Sequence, residues 1–303
     1  YLEGKGHTVK IIDYRPWYLN MRYNFWFIAP ISRMYSVASR FWIIRFIYCL
    51  LKRRDALKNY GRKRAFDNFT QQYLRLTDRS YNTLDSLKNM PPLADLYIAG
   101  SDQIWNSNYN NGRDPAFYLD FGSINIKRAS YAASFAINAI QEDRKPFVKN
   151  QLKKFDYISV REKSFEFFLR GIINKDVCTV LDPVFLVKKD IWAQLIGGTD
   201  AKVKKTYIFV YLLEDSELIT DAINQISVSE NLGVITLRTV KHYKNEIKRI
   251  PGADPAEFLR MLVNAEVVVT NSFHALAFSY IFEKKIALFR HTKFNERIND
   301  LIN

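Results

Sequence analysis

The chain has 303 residues, 48% apolar and 25% charged, which describes a soluble globular protein with ample core material and argues for two domains. Forty-five Lys and Arg stand against 31 Asp and Glu, a net charge of +14 that suits anionic partners such as phosphorylated small molecules, an anionic membrane face or nucleic acid. Two cysteines, Cys49 and Cys178, are too few for a disulfide framework and have no metal-ligand spacing around them, so a reducing cytoplasm fits and no metal is expected.

The opening YLEGKGHTVKIIDY reads as a helix end, a glycine turn and a buried strand at 8–13, the second half of a βα unit. The chain is therefore expected to be a fragment lacking a first strand and its loop, and it shows no signal peptide. At 41–51 an apolar, aromatic run is interrupted by Arg45, with Arg33 and Arg40 before it and Lys52, Arg53 and Arg54 after it. Eleven residues cannot span a bilayer. A helix here either covers the core or a partner, or lies at an anionic interface.

Helical spacing follows at 66–74, then strand-type runs at 96–99, 128–133, 157–160 and 178–181, with a helix at 147–155. Such alternation predicts a parallel sheet covered by helices. The polar, lysine-rich stretch 197–205 reads as the approach to a second domain. Beyond it come a strand at 207–213, a helix at 218–226, a strand at 233–237 and a helix at 255–264, for which Asp254 supplies an N-cap, Pro255 a first-turn proline and Glu257 a capping-box residue. A strand at 267–270, a helix from about His274 and a strand at 286–289 complete the pattern. The fold class is α/β, with two Rossmann-like domains facing a cleft, at residues 1–190 and 191–303. No GxGxxG or Walker-type loop opens any visible helix, which argues against a dinucleotide or nucleotide-hydrolysing protein.

Four strand ends carry polar chemistry. Gly100 permits a turn after 96–99, and Ser101 and Asp102 can cap the next element or meet a substrate, with Asn106 closing the string GSDQIWN. Arg161, in SVRE at 159–162, is suited to bidentate capture of a carboxylate or phosphate, or else pairs with Glu162 at the surface. Asp182, in LDPVFL at 181–186, is by itself a turn former. The run VVVT at 267–270 leads into Asn271, Ser272 and His274, so an imidazole stands near a helix N-terminus that favours anions. A lone His beside apolar residues is more often structural, and His7, His242 and His291 are assigned no role.

Taken together, GSDQIWN with Asp114-Pro-Ala-Phe117 after it, Tyr131-Ala-Ala-Ser134, SVREKS, LDPVFL, TNSFHALAFSYIFEK at 270–284 and Asn295-Glu-Arg297 resemble the polysaccharide pyruvyl transferase family over nearly the whole chain. The resemblance implies two Rossmann-like domains similar to glycosyltransferase-B enzymes. It also implies phosphoenolpyruvate as co-substrate with no further cofactor, and a saccharide hydroxyl pair as acceptor. On that resemblance His274 is the general acid/base with Ser272 supporting it. Arg161, Asn271 and Arg297 hold the donor, and Ser101, Asp102, Asn106 and Asp182 face the acceptor. Residues 1–190 become the acceptor side and 191–303 the donor side.

Two departures stand out: an apolar Ser272-Phe273-His274 where some members carry Ser-x-Arg-x-His, and the missing Gly-Asn-Tyr-Gly type opening loop. The expected setting is exopolysaccharide or capsule biosynthesis in the cytoplasm. The expected partners are a saccharide acceptor, free or lipid-linked, and an anionic inner membrane face met peripherally; nucleic acid is not an expected partner. The alternatives are a nucleotide-sugar-dependent glycosyltransferase, which the fold would not separate from a pyruvyl transferase, and a non-catalytic member of an envelope-biosynthesis assembly.

Overall fold

The computed structural model describes residues 1–20, 35–51, 53–197, 206–237, 241–290 and 296–302. Its contacts define two compact units. One comprises Leu2–Pro92 with Gly252–Pro255, the other Tyr1 with Leu93–Pro251 and Ala256–Asn303.

In the first unit, β1 (Ile11–Tyr14) pairs in parallel with β2 (Leu76–Tyr81). Helices α1 (Trp17–Asn20), α2 (Tyr35–Arg40), α3 (Trp42–Leu51) and α4 (Arg53–Tyr73) fall between them in sequence, and α5 (Leu84–Asn89) follows. Thr83 starts α5 with a reciprocal cap, accepting the Ser86 amide at 3.2 Å while Ser86 Oγ accepts that of Thr83. β1 begins three residues later than the sequence pattern places it, and β2 is an element that the pattern misses.

The second unit holds two sheets. One runs β3 (Leu96–Ala99), β4 (Lys127–Ala133), β5 (Tyr157–Val160) and β6 (Val177–Thr179), in that order. The other has the order β11-β10-β7-β8-β9, from β7 (Tyr207–Tyr211), β8 (Gly233–Leu237), β9 (Glu246–Ile250), β10 (Val267–Thr270) and β11 (Lys285–Leu288). Every pairing among the described strands is parallel. Parallel strands need crossover connections. Here these include α6 (Lys145–Leu152), α7 (Lys163–Ile173), α9 (Glu217–Ser229), α10 (Pro255–Asn264) and α11 (Phe273–Ile281). The change of sheet falls across the lysine-rich stretch, of which residues 198–205 lie outside the described residues, with α8 (Lys189–Leu195) before it. Ile208, Val210, Val234 and Val269 interdigitate with Ile219 and Ile223 of α9 to form the core of the larger sheet.

Strand order fixes where a site can stand. From β7 the larger sheet grows through β8 to β9, then restarts on the other side of β7 with β10 and β11. The connections leaving β7 and β10 therefore diverge, and the crevice at such a reversal is where open parallel sheets take ligands. Ser272 and His274 directly follow β10.

The GSDQIWN string is a compact loop anchored by its tryptophan. Trp105 is fully buried, stacked on Tyr118 at 5.4 Å and packed edge-on to Phe155, while its indole N–H donates to the Phe117 carbonyl at 3.1 Å. Gly100 does not make the turn: its backbone is ordinary and the space around it open. Asp102 makes it, at φ +79°, a conformation that short polar residues tolerate best, and its carbonyl accepts the Ser134 amide at 3.0 Å. Gly112 matters for a different reason, since a Cβ there would lie 2.2 Å from the Asn106 carbonyl oxygen. Gly112→Ala should lower unfolding free energy by about 1–3 kcal/mol in urea denaturation, while Gly100→Ala leaves it within about 0.5 kcal/mol.

Candidate active site

Four strand ends meet in one cluster. Asp182, after β6, opens the 3-10 turn Pro183–Leu186 and accepts the Val184 amide through Oδ1 at 3.1 Å. That turn packs against α11. It is held by Trp192 of α8, whose indole N–H donates to the Val184 carbonyl at 3.0 Å and whose ring meets Phe278 of α11 edge-on at 5.0 Å. The other Asp182 oxygen, Oδ2, is thereby presented to Arg161 after β5, Ser101 after β3 and His274 in the first turn of α11.

Arg161 Nη2 lies 3.2 Å from Asp182 Oδ2 and donates to Ser101 Oγ at 2.5 Å, and Ser101 Oγ donates to Asp182 Oδ2 at 2.6 Å. Both charged side chains are out of water, with Arg161 3% and Asp182 1% exposed. The guanidinium also stacks over Phe273, its central carbon 4.6 Å from the ring centroid. Arg161 Nε and Nη1 are buried and find no hydrogen-bond partner. Two donor nitrogens, on different edges of the guanidinium, are thus left over.

His274 is the exposed member. Its Nε2 stands 3.7 Å from Asp182 Oδ2, beyond hydrogen-bond range but close enough for charges to interact, and its side chain is 41% exposed. Burial by itself raises the pKa of Asp182; His274, the Arg161 guanidinium and the Ser101 hydroxyl together outweigh it and hold the carboxyl down at about 2. The carboxylate is therefore ionised throughout the neutral range.

The other sequence candidates are placed as follows. Asn271, 2% exposed, bridges backbone at the strand reversal: its Oδ1 accepts the Leu213 amide and its Nδ2 donates to the Glu214 carbonyl, both at 2.7 Å. Ser272 occupies the N-cap position of α11, yet its side chain caps nothing, and its amide donates to Thr270 Oγ1 at 3.0 Å. Asn106 is fully buried, donating to Gln103 Oε1 at 3.1 Å and accepting the Asn108 amide at 3.0 Å. Asp102 is exposed at the loop's left-handed position. Arg297 lies in α12 (Glu296–Ile302), and its side chain, like Asn295 before it, lies outside the described residues. Glu162 does not pair with Arg161 at the surface as the local alternative had it. It is buried and receives hydrogen bonds from Ser134 Oγ and, at 3.1 Å, from the Ala136 amide.

Two residues join the cluster without a role assigned from sequence. Phe273 is the stacking plane for Arg161, occupying the apolar position of Ser272-Phe273-His274. Tyr131 on β4 has its phenol pKa raised, first by burial and then by the charges of Tyr1, Asp182 and Cys178, which puts it within electrostatic reach of the carboxylate. Among the described residues no three His, Cys, Asp or Glu side chains converge as metal ligands.

Parallel α/β sheets carry this charged cluster at their strand ends, where open sheets of this kind place their sites. The polysaccharide pyruvyl transferase family model matches residues 1–292, and the chain belongs to that family of transferases. No curated protein and no solved structure matches it significantly.

Asp182→Asn should cost about 3–5 kcal/mol of stability at neutral pH, because Arg161 stays buried without its counterion. The wild-type carboxyl has a folded-state pKa below its unfolded value, so its contribution is present above about pH 4 and fades as pH falls towards 2. Urea unfolding measured across that range should show the gap between variant and wild type closing from the acid side.

Proposed function

We propose that the protein transfers the pyruvyl group of phosphoenolpyruvate to a pair of saccharide hydroxyls, forming a cyclic pyruvate ketal in cell-surface polysaccharide biosynthesis. The observation that carries this reading is the buried Arg161, with Nε and Nη1 unsatisfied beside an exposed His274. Phosphoenolpyruvate needs such a pair: cationic donors for its two anionic groups and a proton for its vinyl carbon.

In this reading Arg161 offers its spare N–H groups to the donor's carboxylate or phosphate. His274 gives a proton to C3, which becomes a methyl group, and C2 turns electrophilic. One hydroxyl adds to C2 and surrenders its proton. Phosphate leaves, the second hydroxyl closes the ketal, and the two hydroxyl protons balance the one taken up at C3 and the one carried off with phosphate. Asp182 acts through His274 as a positioning residue, its carboxylate oxygen 3.7 Å from Nε2 on the side away from solvent. Ser101 and Phe273 hold Arg161 in place while this happens. The uncapped N-terminus of α11 adds a field favourable to the anionic donor.

Residues 1–190 would carry the acceptor side and 191–303 the donor side of a cleft similar to that of glycosyltransferase-B enzymes, with Asp102, Asn106, Asn271, Ser272 and Arg297 as further contacts or supports. The setting in this reading is cytoplasmic, with phosphoenolpyruvate as co-substrate and no other cofactor. A nucleotide-sugar glycosyltransferase remains the competing reading for such a fold, but no feature of the cluster favours a nucleotide.

The test is phosphate release from phosphoenolpyruvate with a panel of saccharide acceptors. Wild type should release phosphate only with the right acceptor, and His274→Gln should lower kcat on the order of 10²–10⁴-fold with little change in the KM for phosphoenolpyruvate. Unchanged kcat in His274→Gln would remove His274 from the chemistry.

A further inference from the structure

The positive charge is concentrated in one part of the chain. Residues 1–92 hold seventeen Lys and Arg against six Asp and Glu, so +11 of the net +14 falls in the first third. Between Asp13 and Asp55 there is no acidic residue, while eight Lys and Arg fall there among many aromatics. Such a composition sets up a field that anions feel and cations do not cross cheaply.

That acid-free span contains α3, whose two sides differ. Cys49 is buried, and Ile44 and Tyr48 pack with it against Ala38 of α2. Away from that contact Trp42, Ile43, Ile47, Leu50 and Leu51 are exposed, Trp42 to 75% and Leu51 to 77%. At about 100° per residue these five side chains fall within one half of the helix circumference. Arg40, just before the helix, and Arg45, on the other half of its circumference, are exposed as well. A helix of 10 residues is about 15 Å long, half of what a bilayer core requires. No helix among the described residues is long and apolar enough to cross a membrane.

We infer that α3 docks the protein onto an anionic lipid bilayer. The helix lies in the interfacial plane, with Trp42 and the aliphatic side chains in the acyl boundary and the neighbouring cations against the headgroups. Charge and surface chemistry together select this occupant. A second copy of the chain would bring an equally basic, acid-free surface against this one, and like charges oppose that pairing. Nucleic acid would satisfy the cations but gives Ile43, Ile47, Leu50 and Leu51 nothing to pack on, since it is met by phosphate contacts and stacking rings. A bilayer with anionic headgroups satisfies both.

The test is flotation of the full chain with vesicles of phosphatidylcholine alone and of equal parts phosphatidylcholine and phosphatidylglycerol, at low and moderate salt. Wild type should rise with the mixed vesicles and largely remain behind with the neutral ones. Trp42→Ser/Ile47→Ser changes two exposed side chains, keeps the fold, and should reduce partitioning about tenfold or more. Arg40→Gln/Arg45→Gln should erase the preference for anionic vesicles. Equal, negligible flotation with both vesicles overturns the inference, as does wild-type flotation by the serine variant. Light scattering on the same samples decides against lipid if it finds a dimer that the serine variant dissolves. The readout needs no turnover, so it stands or falls separately from the reaction assigned above.

Discussion

The Arg161 guanidinium is removed from water, and the geometry around it follows from what must neutralise it. A buried cation without a partner costs several kcal/mol, so the chain has to deliver an anion and acceptors to that spot. It does so from four segments that are remote in sequence: Asp182 from the end of β6, Ser101 from the end of β3, Phe273 from the start of α11, and Arg161 itself from the end of β5. The strand ends of both sheets in the second unit are thereby tied to one charge, and their relative placement is set by a contact that tolerates little error. The reversal of strand order around β7 lies where open parallel sheets take their ligands.

Within the cluster, the side chains divide the work by exposure. Arg161 and Asp182 are almost wholly enclosed, whereas His274 keeps 41% of its side chain in contact with solvent. An enclosed ion pair is a rigid reference that does not reorganise, and the imidazole beside it is the member open to solvent. Asp182 connects the two. One of its oxygens is fixed by its own turn and the other faces the guanidinium, the hydroxyl and the imidazole, so neutralising it disturbs all three partners at once. Kinetics of variants at this position have to be read beside their stability.

Much of the fold is legible in the sequence where hydrophobic periodicity is strong. The runs at 96–99, 157–160, 233–237 and 267–270 coincide with β3, β5, β8 and β10, and Asp254-Pro255 marks the start of α10. β2 and β9 are not legible, because Thr77, Asp78 and Arg79, and Lys248 and Arg249, give them the polarity of loops while a neighbouring strand supplies their hydrogen bonds. The positions of the site were legible as polar groups at strand ends, and the side-chain relations were not. Asp182 looks like a turn former and is one, but its second oxygen meets Ser101 from 81 residues away, a distance no local pattern spans. Gly100 and Trp105 show the converse: local rules give the glycine the turn, whereas Asp102 takes it, and a conspicuous motif tryptophan proves to be core. Family membership supplies the reaction class, and the cluster supplies which side chains stand together to support it.

The account rests on the cluster being an anion site for an enol phosphate, and calorimetric titration of the protein with phosphoenolpyruvate, run in parallel with uridine and guanosine diphosphates, tests that most directly. Saturable binding of phosphoenolpyruvate that is retained at moderate salt, with none of comparable strength for the nucleotides, is the predicted result. Tight nucleotide diphosphate binding without phosphoenolpyruvate binding would contradict the account and assign the strand-end cluster to a sugar-nucleotide donor.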